Sequence, residues 1–135
     1  VPTDVGGVPE AEDLRTKKAH VSIDWFNGLP VSHDFDAAPD FTTLDWNLVT
    51  PTGYWSQSRE QTLSAVTNAF STFLDGTLFT EDELVVHFPS DDVAVQIQRR
   101  TTTHADERTH EVATFVVVNH QNRWLMANNH VTPIL

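Results

Sequence analysis

The chain has no cysteine, which excludes disulfides, thiolate nucleophiles and Cys-ligated zinc or iron–sulfur centres. Positive charge is scarce: eight Lys plus Arg stand against nineteen Asp plus Glu, a formal net charge of -11. Nucleic-acid affinity is driven by cations that neutralise phosphate, so neither nucleic acid nor an anionic membrane is an expected partner. The acids are dispersed in small groups such as Glu10, Glu12, Asp13 and Asp91, Asp92, a pattern that serves solubility more than cation binding. No apolar run approaches the ~18 residues that a membrane-spanning helix needs. Val1–Pro9 lacks the basic-then-apolar order of a signal peptide, so a cytoplasmic location is the expectation. A Gly-rich phosphate loop, a Gly-x-Ser-x-Gly elbow and a His-Glu-x-x-His pair are also missing.

What is present suffices for one core. A chain of 135 residues with 39% hydrophobic and 10% aromatic residues is about one domain long. Residues 1–9 hold two prolines and Gly6-Gly7 and read as a flexible tail, leaving 10–135 as the single expected domain. Ala11, Leu14, Lys18, Val21 and Trp25 recur at helical spacing from Glu10 onward, with Ala19, Ile23 and Phe26 alongside. Asn27-Gly28 is the expected C-cap, since glycine takes the left-handed conformation at little cost. Leu29 to Phe41, with Pro30 and Pro39, reads as a loop holding at most a short second helix. Asp45–Thr50 reads as a brief strand stopped by Pro51, which cannot donate to a ladder. Ser58-Arg59-Glu60-Gln61 matches a capping box, and Leu63, Val66, Phe70, Phe73 and Leu74 follow as one helical face closed by Asp75-Gly76.

Beyond Gly76 the period changes from helix to strand. Residues 83–88, 93–103, 109–119 and 123–132 are rich in Val, Thr and aromatics and are separated by turn-forming segments. The connections are short, so neighbours should be antiparallel. Helices first and a long meander afterwards predict an α+β domain with its helices on one face of a curved antiparallel sheet.

Four anchors, in order, then carry a resemblance. They are Trp25-Phe26-Asn27-Gly28; Asp45 through Gly53 followed by Trp55 and Arg59; Asp92-Val93-Ala94-Val95; and Ala113–Val118 with Arg123-Trp124-Leu125-Met126-Ala127. Together they resemble the SnoaL-like, SgcJ/EcaC-type branch of the nuclear transport factor 2 (NTF2)-like superfamily, over about Leu14 to Ile134. The resemblance implies a conical α+β barrel: a strongly bent sheet wrapped against helices around a cavity. It further implies a bacterial natural-product protein, of polyketide or possibly enediyne biosynthesis, holding a hydrophobic polyketide-like molecule without a cofactor. The superfamily hosts isomerases, hydrolases, cyclases, transport factors and association domains, so the fold alone does not set the function. Two histidines frequent in that branch are missing: residues 65–69 read Ala-Val-Thr-Asn-Ala, and none stands near Ile97.

The candidate chemistry centres on Asp45 and His130. Asp45 lies beside Trp46 and near Trp55, where desolvation would suit a general base; it equally suits a strand-start acid bonding a backbone N–H. A strict two-residue period puts His130 on the face of Trp124, Met126 and Asn128, where imidazole and amide would polarise a carbonyl in a cavity. A histidine satisfied by a backbone carbonyl, or on the convex face in a dimer contact, is the competing reading. Trp25, Trp46, Trp55 and Trp124 would stack a planar ligand or simply fill the core. His87 belongs to the outer set of its strand. His33, Asp34 and Asp36 form a metal-like cluster without a partner set, which favours a solvated loop and no metal. Arg99-Arg100 sends its two guanidinium groups to opposite faces. Apolar residues on both faces of 93–103 and 109–119 make a homodimer the expected assembly. A non-catalytic binding or chaperone-like module and a pure dimerisation domain are the alternatives to an enzyme.

Overall fold

A computed structural model describes the backbone of residues 8–135 and the side chains of residues 14–135. Apart from Val8 and Pro9, where the first helix begins, the tail expected over 1–9 lies outside the described residues. Helix α1 spans Val8–Ser32, a short 3-10 turn Phe35–Ala37, helix α2 Ala38–Phe41 and helix α3 Arg59–Ser71. The strands are β1 Thr42–Val49, β2 Trp55–Ser56, β3 Leu78–Ser90, β4 Val93–His104, β5 Glu107–His120 and β6 Arg123–Pro133. They form one open, curved sheet in the order β2-β1-β6-β5-β4-β3. Every pairing is antiparallel except β1 with β6, which is parallel. The expected architecture is present, without closure into a barrel.

Helix α1 runs a full turn past its expected cap. Gly28 costs about 1 kcal/mol in a helix interior, but Leu29 and Pro30 behind it are buried, and burying one leucine returns about 1.5–3 kcal/mol. The left-handed residue that ends the helix is His33, at φ 54°, whose N–H bonds the Leu29 carbonyl. The buried stripe is Ala19, Ser22, Ile23, Phe26 and Leu29; Leu14 and Val21, expected on the inner face, are exposed. Helix α3 starts as read: Ser58 Oγ accepts from the Gln61 N–H at 3.2 Å, and Gln61 Oε1 accepts from the Gln57 N–H at 3.1 Å. Thr62, Val66 and Phe70 form its buried face, whereas Phe73 falls beyond the last turn and is exposed.

The three antiparallel hairpins extend further than their apolar runs. All three close through two-residue turns, and in two of these, Ala105-Asp106 and Gln121-Asn122, φ is positive at both residues, the backbone that matches strand twist in tight hairpins. In β6, Met126 pairs with Val117 and Asn128 with Val116, so Ala127 is the extra residue of a bulge. A bulge bends its strand and advances the side-chain alternation by one. The core between helices and sheet is built on Ile23, Phe26, Leu29, Trp46, Phe70, Phe115, Val117, Met126 and Val131. Phe26 sits at its centre, edge-on to Trp46, Phe70 and Phe115.

Candidate functional site

A cavity of about 290 Å³ lies between the helices and the concave face of the sheet. Phe26 closes it from α1, Ala65, Val66, Ala69 and Phe70 from α3, and Phe79, Leu48 and Val131 from the strands, with Thr50 and Pro51 after β1. The space exists because two α3 positions facing the sheet are alanines, which reach less far than any larger side chain. Both alanines lie in the segment where the resembled branch often carries a histidine.

Besides the hydroxyls of Thr50, Thr102 and Thr109, one charged pair breaks this apolar lining: Arg100 on β4 and Glu111 on the neighbouring β5, register partners across the ladder. The Arg100 side chain is only 3% exposed and that of Glu111 11%. Arg100 Nε donates to Glu111 Oε1 at 2.6 Å, and Thr102 Oγ1 donates to the same oxygen. Nη1 donates to Asn27 Oδ1 of α1 at 2.9 Å, and the guanidinium carbon stands 4.0 Å from the centre of the Phe79 ring, a cation–π contact. Burial pushes the guanidinium below its ordinary value, while the Glu111 charge and hydrogen bond oppose the shift. Arginine nevertheless stays charged in proteins. Among the described residues no group bonds Arg100 Nη2 or Glu111 Oε2.

The pair is held from behind by a polar seam. Ala94, Gln96, Gln98 and Arg100 alternate on the concave face of β4, and all four are buried. Gln96 Nε2 donates to the Ala19 carbonyl and its Oε1 accepts from His20 Nδ1, each at 2.8 Å. Gln98 Oε1 accepts from Asn27 Nδ2 at 3.2 Å, while its Nε2 donates to Glu81 Oε1 at 2.7 Å. His20 Nε2 lies 3.3 Å from both Asp24 and Glu81 carboxylate oxygens. Asn27 therefore links Gln98 to Arg100, and buried amides that would each cost free energy if unpaired are satisfied along the strand.

None of the catalytic and ligand-pocket candidates drawn from the sequence lines this cavity. Asp45 is exposed and takes the Thr43 hydroxyl at 2.6 Å. His130 is exposed and pairs with Val49 and Thr114 on the convex face. The Ala127 bulge is the reason: Trp124 and Met126 precede it on the inner face, whereas Asn128 and His130 follow it on the outer one. Asn128 donates instead to Asn47 Oδ1 on β1. Trp46 is fully buried, donating Nε1 to Asn129 Oδ1 at 2.9 Å, and Met126 is fully buried beside it in the core. Trp25 stacks on Phe41 and donates to the Asp34 carbonyl at 3.1 Å. Trp55 is 59% exposed on the short edge strand. Trp124 packs edge-on to Phe88 and borders a separate groove with Arg15 and Lys18. His87 pairs with Val95 and is exposed. His33 pairs with Asp75 at 2.8 Å, and among the described residues no three His, Asp or Glu side chains converge as metal ligands.

Sequence reasoning weighed Arg100 only as half of an opposed arginine pair and missed its pairing with Glu111, because apolarity points the wrong way on β4. Val93, Val95 and Ile97 face outward, while the polar set faces α1. The usable signal was the alternation itself: Gln96, Gln98 and Arg100 at period two, opposite the Asn27 of a helix.

No protein-family profile and no curated protein sequence matches the chain. Solved structures do. An uncharacterised protein with a cystatin-like fold from Caulobacter vibrioides superposes with a TM-score of 0.80 at 15% identity, covering 90% of this chain and 91% of that one. A proposed dehydratase of the NTF2-like family from Streptomyces avermitilis gives 0.77 at 14% identity, covering 91% and 98%. The association domain of C. elegans CaMKII gives 0.72 at 15%, again covering 91% and 98%. The fold is therefore the cystatin-like fold of NTF2-like proteins. No described helix is long and apolar enough to cross a membrane.

Proposed function

We propose that the chain is a small-molecule-binding protein that holds a hydrophobic ligand in the cavity between α1, α3 and the sheet. The observation that carries this reading is an apolar space of about 290 Å³ with one buried ion pair on its wall, the arrangement by which pockets combine affinity with orientation. Saturable binding of two-ring aromatic or polyketide-like compounds, followed by amide chemical shifts, tests it. Shifts should concentrate at Ala65, Ala69, Phe79 and Val131; shifts confined to the groove at Arg15 and Trp124 would refute the assignment.

The finer setting belongs to the same proposal: a cofactor-free, cytoplasmic protein of the SnoaL-like, SgcJ/EcaC-type branch, serving bacterial polyketide biosynthesis. The ordered anchors in the sequence and the proposed dehydratase among the similar structures support it. Asp45 and His130, as exposed residues away from the cavity, leave binding without turnover as the preferred reading. A second reading is proton transfer at a carbon next to a carbonyl, in which Arg100 Nη2 would hold the oxygen and Glu111 Oε2 would take the proton. Deuterium uptake at that carbon in a bound ketone, absent in Glu111→Gln, would support it; no uptake in the wild type would refute it.

The outer face supports a homodimer. Val85 and Ile97 are 54% and 44% exposed, and Val95, Val112, Val116 and Val118 continue the apolar surface beside them. Sedimentation at micromolar concentration should return twice the chain mass, and Ile97→Lys should halve it.

A further inference from the structure

We infer that the Arg100–Glu111 pair selects neutral ligands carrying a hydrogen-bond donor and an acceptor side by side, and that it discriminates against carboxylates. The ligand class is thus an apolar ring or chain bearing an amide, an undissociated acid or an enol-type edge. This inference rests on the proposed cavity ligand.

The argument starts from what the pair has already used. Guanidinium Nε and Nη2 form one fork of the planar group, the fork that matches a carboxylate in two parallel bonds. Here only Nε engages Glu111, through Oε1, and Thr102 adds a second donor to that same oxygen. One N–H of Nη1 is spent on Asn27. The second N–H of Nη1, both N–H groups of Nη2 and one acceptor, Oε2, are left on two residues that both line the cavity.

A ligand headgroup must satisfy Nη2 and Oε2, because a buried polar group deprived of water and left unpaired is costly. A primary amide does so, with its oxygen toward Nη2 and its N–H toward Oε2. A ketone satisfies Nη2 alone, and a hydrocarbon neither. A carboxylate meets Nη2 but sets its second oxygen against Oε2 in a weakly screened site, where like charges repel strongly. Arg100 is no free anion receptor, since Glu111 neutralises it at 2.6 Å. The rest of the wall, apolar except for Thr50, Thr102 and Thr109, takes the hydrocarbon body.

Four probes with one body separate the headgroup from the cavity: naphthalene, methyl naphthyl ketone, naphthamide and naphthoate, substituted at the same carbon. Each is titrated into the wild-type protein at neutral pH, with dissociation constants read from amide chemical shifts at cavity residues. Naphthamide should bind at least about ten-fold more tightly than the ketone, the factor for one hydrogen bond to a charged group. Naphthoate should bind more weakly than the amide by at least the same factor. Arg100→Met combined with Glu111→Leu should lose the amide preference, binding naphthamide no more tightly than naphthalene. Equal affinity for all four probes would overturn the headgroup rule while leaving the cavity intact. Naphthoate binding as tightly as the amide would overturn it in favour of an anion site. Failure of every probe to shift cavity residues would remove the ligand cavity itself, and the headgroup rule with it.

Discussion

Removing Glu111 while leaving Arg100 in place should be among the most damaging single changes this chain can undergo. In Glu111→Ala the guanidinium, 3% exposed, keeps Asn27 at 2.9 Å and the Phe79 ring but loses its counter-charge, and Thr102 loses its acceptor. Two unit charges about 4 Å apart attract by roughly 4 kcal/mol at an effective dielectric of about 20. Measured losses on breaking one side of a buried pair are about 3–5 kcal/mol, so the two routes agree. With a urea m-value of about 2 kcal/mol/M, the midpoint should fall by about 1.5–2.5 M. Replacing both partners, as Arg100→Met with Glu111→Leu, removes the desolvation cost along with the attraction and should return stability to within about 1 kcal/mol of the wild type. Tryptophan fluorescence and far-UV circular dichroism should report the same transitions, as a two-state domain requires. A loss below about 1 kcal/mol in Glu111→Ala, or a double variant as unstable as the sum of the singles, would refute the reasoning.

Asp45→Asn and His130→Ala should each change stability by less than about 0.5 kcal/mol, because both side chains are exposed, and should leave cavity binding unaltered in the same shift titration; a loss of binding in either would return it to the site. Trp46→Phe should cost about 1–3 kcal/mol in urea unfolding, since Asn129, whose Nδ2 already lacks a partner, loses the donor to its Oδ1. Ala105→Gly should stabilise by about 1 kcal/mol, since Ala105 sits at φ 49° where glycine is unstrained; an unchanged midpoint would argue against that turn.

Legibility in the sequence followed the strength of local signals. Helix α3 was readable because Ser58 and Gln61 cap it and Val66 and Phe70 repeat at helical spacing. The hairpins were readable from Val and Thr runs, but their ends were not: Leu78, Phe79, Thr80 and Glu81 join β3 through pairing with β4, a contact local propensity does not contain. Gly28 misled because burial of the residues behind it outweighs the glycine cost. His130 misled because one unpaired residue, Ala127, shifts the strand alternation, and no sequence feature marks alanine as a bulge. The cavity pair was hidden for a deeper reason. On a sheet whose convex side is also apolar, hydrophobicity does not say which face is inside, and the polar side of β4 becomes interior only because α1 offers Ala19, His20 and Asn27 as matching partners.

The seam along β4 also sets how firmly α1 is held to the sheet. Sliding α1 past the sheet by one turn, about 5.4 Å, would uncouple Gln96 from Ala19 and His20, Gln98 from Asn27, and Asn27 from Arg100 in a single step. Such a slide would leave several buried polar groups unpaired at once, a cost that couples helix and strand. On the opposite wall the polar ties gather at the start of α3, where Thr62 donates to the Trp46 carbonyl and Arg59 to Thr42; further along, Ala65, Val66, Ala69 and Phe70 meet the cavity through apolar contacts. The charge pair thus sits on the wall where polar ties run the length of the helix–strand contact, not at one end of it.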